Sequence, residues 1–238
     1  TMRHAKSGQW RESQPQRALA NNSVNYKGRP DIGTFMREWL SLYDSKSGER
    51  GIYNGVSAMN QVERMNTDEQ ERRQPREDFG TNPCSEIILR SREFCNLSEV
   101  VIRRWDTAES LRKKVKLATI LGTFQSTLTN FKYLTKEWKR NCDEERLLGV
   151  SLTGIMDNSI TNGKKGNLEK LLEDLKQEAV ETNKEFADKL DIPQSAAITC
   201  VKPSGTVSQL VDSASGIHAR HNPYYIRTVR ADNKDPLC

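Results

Sequence analysis

Two long stretches of this sequence place apolar residues at helical spacing, and short β-rich runs stand around them. The first stripe runs through Leu111, Val115, Ala118, Leu121, Phe124, Leu128 and Phe131. Asp106 is its expected N-cap, with Glu109 placed to close a capping box. The second follows Asn167 with Leu168, Leu171, Leu172, Leu175, Ala179, Phe186 and Leu190, and Pro193 lies beyond its end. The β-rich runs are Leu97–Ile102, Val150–Thr153, Ala196–Val201 and Tyr225–Val229. Long helices between short strands predict an α/β sheet or barrel, in which chemistry gathers on the loops leaving the strands. Both stripes read as core, and Arg112-Lys113-Lys114 as the solvated face of its helix.

Elsewhere the patterning is weaker. Phe35, Trp39 and Leu42 follow the turn signal Arg29-Pro30-Asp31 at helical spacing and predict a short amphipathic helix. Lys46 to Gly51 reads as a polar loop, and residues 60 to 78, almost wholly polar, are expected on the surface. There is no internal repeat and no low-complexity stretch.

Composition narrows the classes of function. Of 238 residues, 35% are hydrophobic and 29% charged, which suits a very soluble globular protein or a piece whose apolar faces other segments complete. The net charge of +5 comes from Lys and Arg spread among Asp and Glu. A mild excess of that kind suits an anionic small ligand as well as nucleic acid; it does not read as a DNA-binding surface, and no direct nucleic-acid partner is expected. No apolar run approaches membrane-spanning length and no signal peptide opens the chain. Cys84, Cys95, Cys142, Cys200 and Cys238 are widely spaced and odd in number, unlike a secreted disulfide scaffold. A reducing cytoplasm with any disulfide catalytic is the expectation. Thr1 and Cys238 both read as cuts in a longer chain.

Thr81-Asn82-Pro83-Cys84-Ser85-Glu86-Ile87 is the segment richest in chemistry. Pro83 fixes its own φ and disfavours helix through Asn82, which puts Cys84 on a stiff loop tip. Asn82 and Glu86 stand two positions to either side. In an extended segment such positions face one way, so an amide, a thiol and a carboxyl converge on one ligand. Together they offer a hydrogen-bonding group, a sulfur able to carry one-electron chemistry and a carboxylate for proton transfer. Phe94-Cys95-Asn96-Leu97 follows, leading into a strand. From spacing alone Cys84 and Cys95 read either as two ordinary buried cysteines or as zinc ligands, although no second pair or His cluster accompanies them.

A second candidate lies downstream. Ala196 to Val201 reads as a strand, followed by Lys202-Pro203-Ser204-Gly205-Thr206-Val207-Ser208. A strand, a small-residue turn and a short helix leave backbone N–H groups aimed outward, which suits a phosphate. Ser204 and Thr206 add hydroxyl donors, and Gly205 admits a ligand close to the backbone. The plainer alternative is a turn that merely caps its helix. His4, His218 and His221 read as loop histidines, since no Cys or carboxylate partners stand near them to complete a metal site.

The finger-loop segments, Asn82-Pro83-Cys84-x-Glu86-Ile87 and then Phe94-Cys95-Asn96-Leu97-Ser98-Glu99-Val100, resemble the signature of the monomeric, adenosylcobalamin-dependent (class II) ribonucleoside-triphosphate reductases. The similarity continues through Ala118 to Phe131, Glu145 to Gly154, the Pro203–Val207 turn, Ser213 to His218 and Asn222 to Arg227. Upstream, Ala20 to Val24 and Ser47 to Gly51 also fit. One departure stands out: Ser85 occupies a position where the family pattern leads one to expect glycine.

The resemblance implies a fold: a fragment of the ten-stranded ribonucleotide reductase α/β barrel, with an inserted cysteine finger loop. Residues 1–238 would form one partial catalytic barrel, truncated at both ends. It also implies a reaction, the reduction of ribonucleoside triphosphates to 2′-deoxyribonucleoside triphosphates with adenosylcobalamin as cofactor. Cys84 matches the cysteine that becomes the thiyl radical and takes the ribose 3′-hydrogen. Glu86 matches the base for the 3′-hydroxyl proton, and Asn82 the amide that holds the ribose hydroxyls. Cys95 matches one of two reducing cysteines, its partner lying upstream of Thr1. Pro203, Ser204, Gly205, Thr206 and Val207 match the substrate-phosphate loop. Cys142 and Cys200 match no catalytic position and read as buried or incidental. Thioredoxin or a similar dithiol would supply electrons, and a deoxynucleotide would act as allosteric effector, upstream or in loops such as Glu12–Arg17. No residue carries a signature for the corrin.

Three other readings stand beside this one. The chain is a nucleotide-binding fragment inactive without complementing segments, a glycyl-radical type of thiyl enzyme on the same barrel, or an unrelated interaction protein. The second requires a glycyl loop, which the sequence lacks; the last requires both motifs to be coincidental.

Overall fold

The computed structural model describes residues 5–6, 8–46, 51–66, 73–76, 78–226, 228, 234 and 236. His4, Ser47 to Arg50, Arg227, Val229 and Cys238, which figure in the expectations above, lie outside the described residues.

Each periodic stretch contains a helix. Asp31 accepts a hydrogen bond from Thr34 N at 2.9 Å and starts α2, Ile32–Ser45, which follows a short α1, Trp10–Ser13. Asn167 does the same for α6, Leu168–Leu190, through Lys170 N at 3.0 Å. Helix α4 spans Ala108–Gln125, but its cap is Thr107 rather than Asp106. The Thr107 hydroxyl accepts from Ser110 N, and the Ser110 hydroxyl accepts in return from Thr107 N. Asp106 is otherwise engaged: its carboxylate takes the N–H of Arg103 at 2.7 Å, the Ser110 hydroxyl at 2.8 Å and the Lys114 ammonium at 2.6 Å. Lys114 therefore belongs to the helix anchor, not to a purely solvated face. Glu109 pairs with Lys113 instead of closing a box.

The strands pair two by two. β1, Ser23–Tyr26, runs parallel to β2, Gly51–Asn54, with α2 as the crossover. α3, Gly55–Met65, leaves β2 under an Asn54 cap. β3, Gly80–Thr81, and β4, Ile88–Leu89, form a short antiparallel hairpin. β5, Asn96–Val101, runs parallel to β6, Leu148–Thr153, in register from Asn96↔Leu148 to Val101↔Thr153, with α4 and α5, Lys136–Glu145, between them. The Ala196–Val201 run is extended along the free edge of β6, with Leu148 N on Ala197 O at 2.9 Å and Cys200 N on Val150 O at 3.1 Å. It makes only one bridge, Val150↔Thr199, and is not a strand of its own. Tyr225, Ile226 and Thr228 are not strand either. A short helix α7, Thr206–Leu210, follows the run.

The architecture is α/β, as expected, with two of three strand pairs parallel. Among the described residues it is not a closed ten-stranded barrel, because six strands paired two at a time leave edges that closure would remove. The core lies where α4 and α6 cover the β5–β6 pair, around Val100, Ile102, Leu111, Val115, Val150, Leu175 and Ala179.

Two patterned segments depart from expectation. The buried face of α4 turns from Leu111, Val115 and Ala118 onto Thr119, Gly122 and Thr123, leaving Leu121 67% and Leu128 72% exposed. Small residues are buried there: Asn183 of α6 donates to the Thr123 hydroxyl at 3.0 Å, and a side chain on Gly122 would meet Leu148 of the β6 strand. The polar run 60–78 is not a plain surface segment, for Val62 lies in the core of α3 and Arg73 is only 6% exposed. The Glu12–Arg17 stretch spans the end of α1 and a short 3-10 helix, Pro15–Leu19.

Candidate functional site

The cysteine loop is the tip of the β3–β4 hairpin. Asn82 closes it with its side chain, accepting from Ile87 N at 3.0 Å, while its backbone carbonyl accepts from Ser85 N at 3.0 Å. The segment is therefore a turn, not the extended strand that would aim residues 82, 84 and 86 in one direction. Ser85 carries the cost of that turn at φ +64°, the left-handed region that glycine enters freely. The glycine that the resemblance leads one to expect here would meet no such cost.

Cys84 is exposed at the tip, whereas the Glu86 side chain is only 2% exposed. Lys202 reaches it from the other motif, with Nζ 2.7 Å from Glu86 Oε1. Burial works to raise the Glu86 pKa, but the Lys202 ammonium, the loop backbone and the Asn82 amide outweigh it and hold the carboxyl below its ordinary value. For Lys202, burial works against the charge, and Glu86 more than compensates, with a smaller hydrogen-bonding contribution from the Cys84 sulfur. One ammonium thus pairs with the carboxylate and lies within electrostatic reach of the thiol.

Lys202 also opens the second motif. Ser204 is buried and turned into its own helix, its Oγ accepting from Ser208 N at 3.1 Å. The Ser215 hydroxyl donates to the Ser204 carbonyl. Gly216, at φ +54°, brings its Cα so close that an added Cβ would lie 2.8 Å from the Lys202 carbonyl oxygen, so only glycine fits. Gly205 has open space where a side chain would be. Among the described residues, no hydrogen bond within the chain uses the N–H groups of Gly205, Thr206 or Val207. A cavity of about 930 Å³ opens beside them, lined in part by Thr206, Gln209, Arg220 and Tyr225. Arg220 is held by Asp157 at 3.0 Å and Asp212 at 2.7 Å.

Cys95 enters β5 on the same side of the molecule. Burial pushes its thiol far up, and the nearby Cys200, Glu93 and Glu86 add to the effect. Cys200 is half-buried, and burial with the Glu86 charge pushes its thiol up to about 11. Both sulfurs are therefore protonated thiols at neutral pH. They are not bonded partners: β6 runs between them, and two strand spacings of roughly 4.8 Å exceed the span of about 7 Å that a disulfide bridges. Cys142 is buried, its sulfur accepting from Phe94 N at 3.4 Å, in accord with a packing role.

Below the hairpin lies a buried ion cluster. Arg73 Nε is 2.8 Å from Glu145 Oε2 and its Nη2 is 3.3 Å from Glu93 Oε2; Arg90 Nε lies 3.4 Å from Glu93 and 3.1 Å from Glu145. Arg73 also donates to the Ile88 carbonyl of β4 at 2.8 Å. The cluster ties the hairpin that carries Cys84 to α5. Burial and the Glu145 charge raise the Glu93 pKa to about 7.

The structure thus brings Asn82, Cys84 and Glu86 together with the start of the Pro203–Val207 turn, and places Cys95 near them. Sequence reasoning passed over Lys202, although it stands directly before Pro203, and over the proximity of Cys200. It also missed Arg73 and Glu93. Among the described residues no cluster of His, Cys, Asp and Glu could hold a metal ion, and no helix is long and apolar enough to cross a membrane.

A family model described as "Ribonucleotide reductase, barrel domain" matches residues 49–188. Three relatives, each named adenosylcobalamin-dependent ribonucleoside-triphosphate reductase, are similar to the chain. That of Lactobacillus helveticus is 30% identical over 183 residues, covering 66% of this chain and 24% of the relative. That of Lactobacillus gasseri is 29% identical over 187 residues with the same coverage, and that of Lacticaseibacillus paracasei 27% over 230 residues, covering 83% and 29%. A solved structure described as a B-12 dependent (class II) ribonucleotide reductase aligns with a TM-score of 0.47 at 25% identity, over 59% of this chain and 23% of that one. The chain spans about a quarter of the length of the curated relatives it matches.

Proposed function

Because this chain belongs to the ribonucleotide reductase barrel-domain family, we propose that it carries the radical loop and phosphate turn of an adenosylcobalamin-dependent ribonucleoside-triphosphate reductase. In the assembled protein the chain would form part of the ten-stranded barrel, with the β3–β4 hairpin as its finger loop. The observation that carries the proposal is the meeting of Glu86 and Lys202 at 2.7 Å, which sets the Cys84 loop beside the Pro203–Val207 turn.

Each residue has a task suited to its surroundings. Cys84, exposed at a braced tip, exchanges a hydrogen atom with the ribose 3′ carbon. Glu86 is charged at neutral pH and accepts the 3′-hydroxyl proton, which a buried carboxylic acid with a raised pKa would not do. Asn82 spends its oxygen on the loop, leaving its NH₂ group for Glu86 and the sugar hydroxyls. The N–H groups of Gly205, Thr206 and Val207 take the phosphates, with Pro203 and Ser204 fixing the turn. The 2′-hydroxyl departs as water. Cys95, kept as a thiol, supplies one of two reducing sulfurs; its partner is a cysteine upstream of Thr1, and thioredoxin or a similar dithiol restores the pair. A triphosphate substrate follows from the relatives' names, and a deoxynucleotide effector is part of the same proposal.

Cys84 stands open to a bulky group, and adenosylcobalamin bound beside it would supply an acceptor for the thiol hydrogen atom. The test is release of tritium from a 3′-tritiated ribonucleoside triphosphate by the holoenzyme that contains this chain. Release that depends on the cofactor and disappears in Cys84→Ser and Glu86→Gln is expected. Release that persists in Cys84→Ser would overturn the assignment.

A further inference from the structure

We propose that Lys202 is a positioning residue for the reaction assigned above: its ammonium fixes Glu86 in the ionised form and faces it toward the Cys84 thiol, coupling the radical loop to the phosphate turn. The inference rests on that functional reading, but its geometry stands apart from it.

The Glu86 side chain is almost wholly withdrawn from water, and its ion partner lies at 2.7 Å on a different segment of the chain. A carboxylate so buried is unstable as an anion unless a cation compensates, and Lys202 is the cation that does so. The lysine is itself anchored. Pro203 stiffens the backbone after it, and the close approach of Gly216 pins its carbonyl. Its side chain is 23% exposed, so the pair is not sealed from solvent. The titratable groups around this pair are the thiols of Cys84, Cys95 and Cys200, with Glu99 beyond Cys200 and Arg73 beyond Cys95. Arg73 is already paired with Glu93 and Glu145, so among the described residues Lys202 is the cation in contact with Glu86.

A lysine here has a consequence beyond holding two segments together. The same residue that begins the phosphate turn sets the charge of the base, so docking of the anionic end of a substrate and proton transfer at the sugar share one side chain. A merely structural bridge would lower stability when cut without changing the protonation of Glu86 in molecules that remain folded.

The test is a titration of the Glu86 carboxyl by infrared difference spectroscopy on the full chain, without nucleotide or cobalamin, with Glu86→Gln as the subtraction reference. In Lys202→Met the midpoint is expected to rise by about 1–3 pH units, the range for losing an opposite charge at contact distance. Lys202→Arg is expected to restore most of the shift. Lys202→Gln keeps a hydrogen-bonding group without the charge, and it is expected to follow Lys202→Met; it also serves should the methionine variant fail to fold. A midpoint unchanged in the folded neutral variants overturns the inference, whatever the holoenzyme does. In the holoenzyme, the acid limb of tritium release from the 3′-labelled substrate is expected to move upward by the same amount. If the carboxyl titration moves but tritium release ignores Glu86 altogether, the ion pair stands and the functional reading above is what fails.

Discussion

Replacing Ser85 by glycine is expected to stabilise the protein, although glycine ordinarily does the reverse. Ser85 sits at φ +64° in the tight turn that closes the cysteine loop. A left-handed L-residue costs roughly 1–2 kcal/mol. Glycine removes that cost but loses more chain entropy on folding, about 0.5–1 kcal/mol. The difference favours Ser85→Gly by roughly 0.5–1 kcal/mol. For a chain of this length that raises the melting temperature by about 1–4 °C. Denaturant melts of wild type, Ser85→Gly and Ser85→Ala measure it, with the alanine variant as a control that keeps the left-handed strain and changes stability by less than about 0.5 kcal/mol. Amide exchange at Ile87, whose N–H is held by the Asn82 side chain, is expected to slow in the glycine variant if the gain is local. A Ser85→Gly protein less stable than wild type by about 0.5–1 kcal/mol would show that the backbone is unstrained there and refute the reasoning.

Three further outcomes follow from the packing. Gly216→Ala combines a left-handed φ with a Cβ 2.8 Å from the Lys202 carbonyl, so it is expected to cost more than about 1–2 kcal/mol in denaturant melts. Arg73→Ala leaves Glu93 and Glu145 buried with less compensating charge and is expected to lose about 3–5 kcal/mol by the same measurement. Glu93 has a folded pKa raised to about 7, so the folded state holds more protons than the unfolded one between about pH 4.5 and 7. Its contribution therefore falls as pH rises through that window; melts from pH 5 to 8 should show a downward slope that Glu93→Gln flattens.

The fold was legible where local signals acted alone. Asp31 and Asn167 each precede a clean apolar period, and both cap the helix they announce. Asp106 and Thr107 are adjacent and both able to cap; the choice fell to Thr107 because Lys114 and the Arg103 N–H draw the aspartate away. The α4 stripe misled past Ala118 because the residues buried there are Thr119, Gly122 and Thr123, which an apolar period does not register. Arg73 shows the same limit: a polar residue in a polar run is buried by partners that lie beyond the hairpin. For the site, the motif residues were readable one by one, but not what joins them. Lys202 meets Glu86 only because the run beside β6 ends next to the hairpin, and that juxtaposition is tertiary.

The account is tested most directly by a crystal structure of the holoenzyme containing this chain with a ribonucleoside triphosphate bound. The ribose is expected between the Cys84 sulfur and the Glu86 carboxylate, with phosphate oxygens on the N–H groups of Gly205, Thr206 and Val207. A nucleotide whose sugar lies away from Cys84, or whose phosphates bypass that turn, would contradict it.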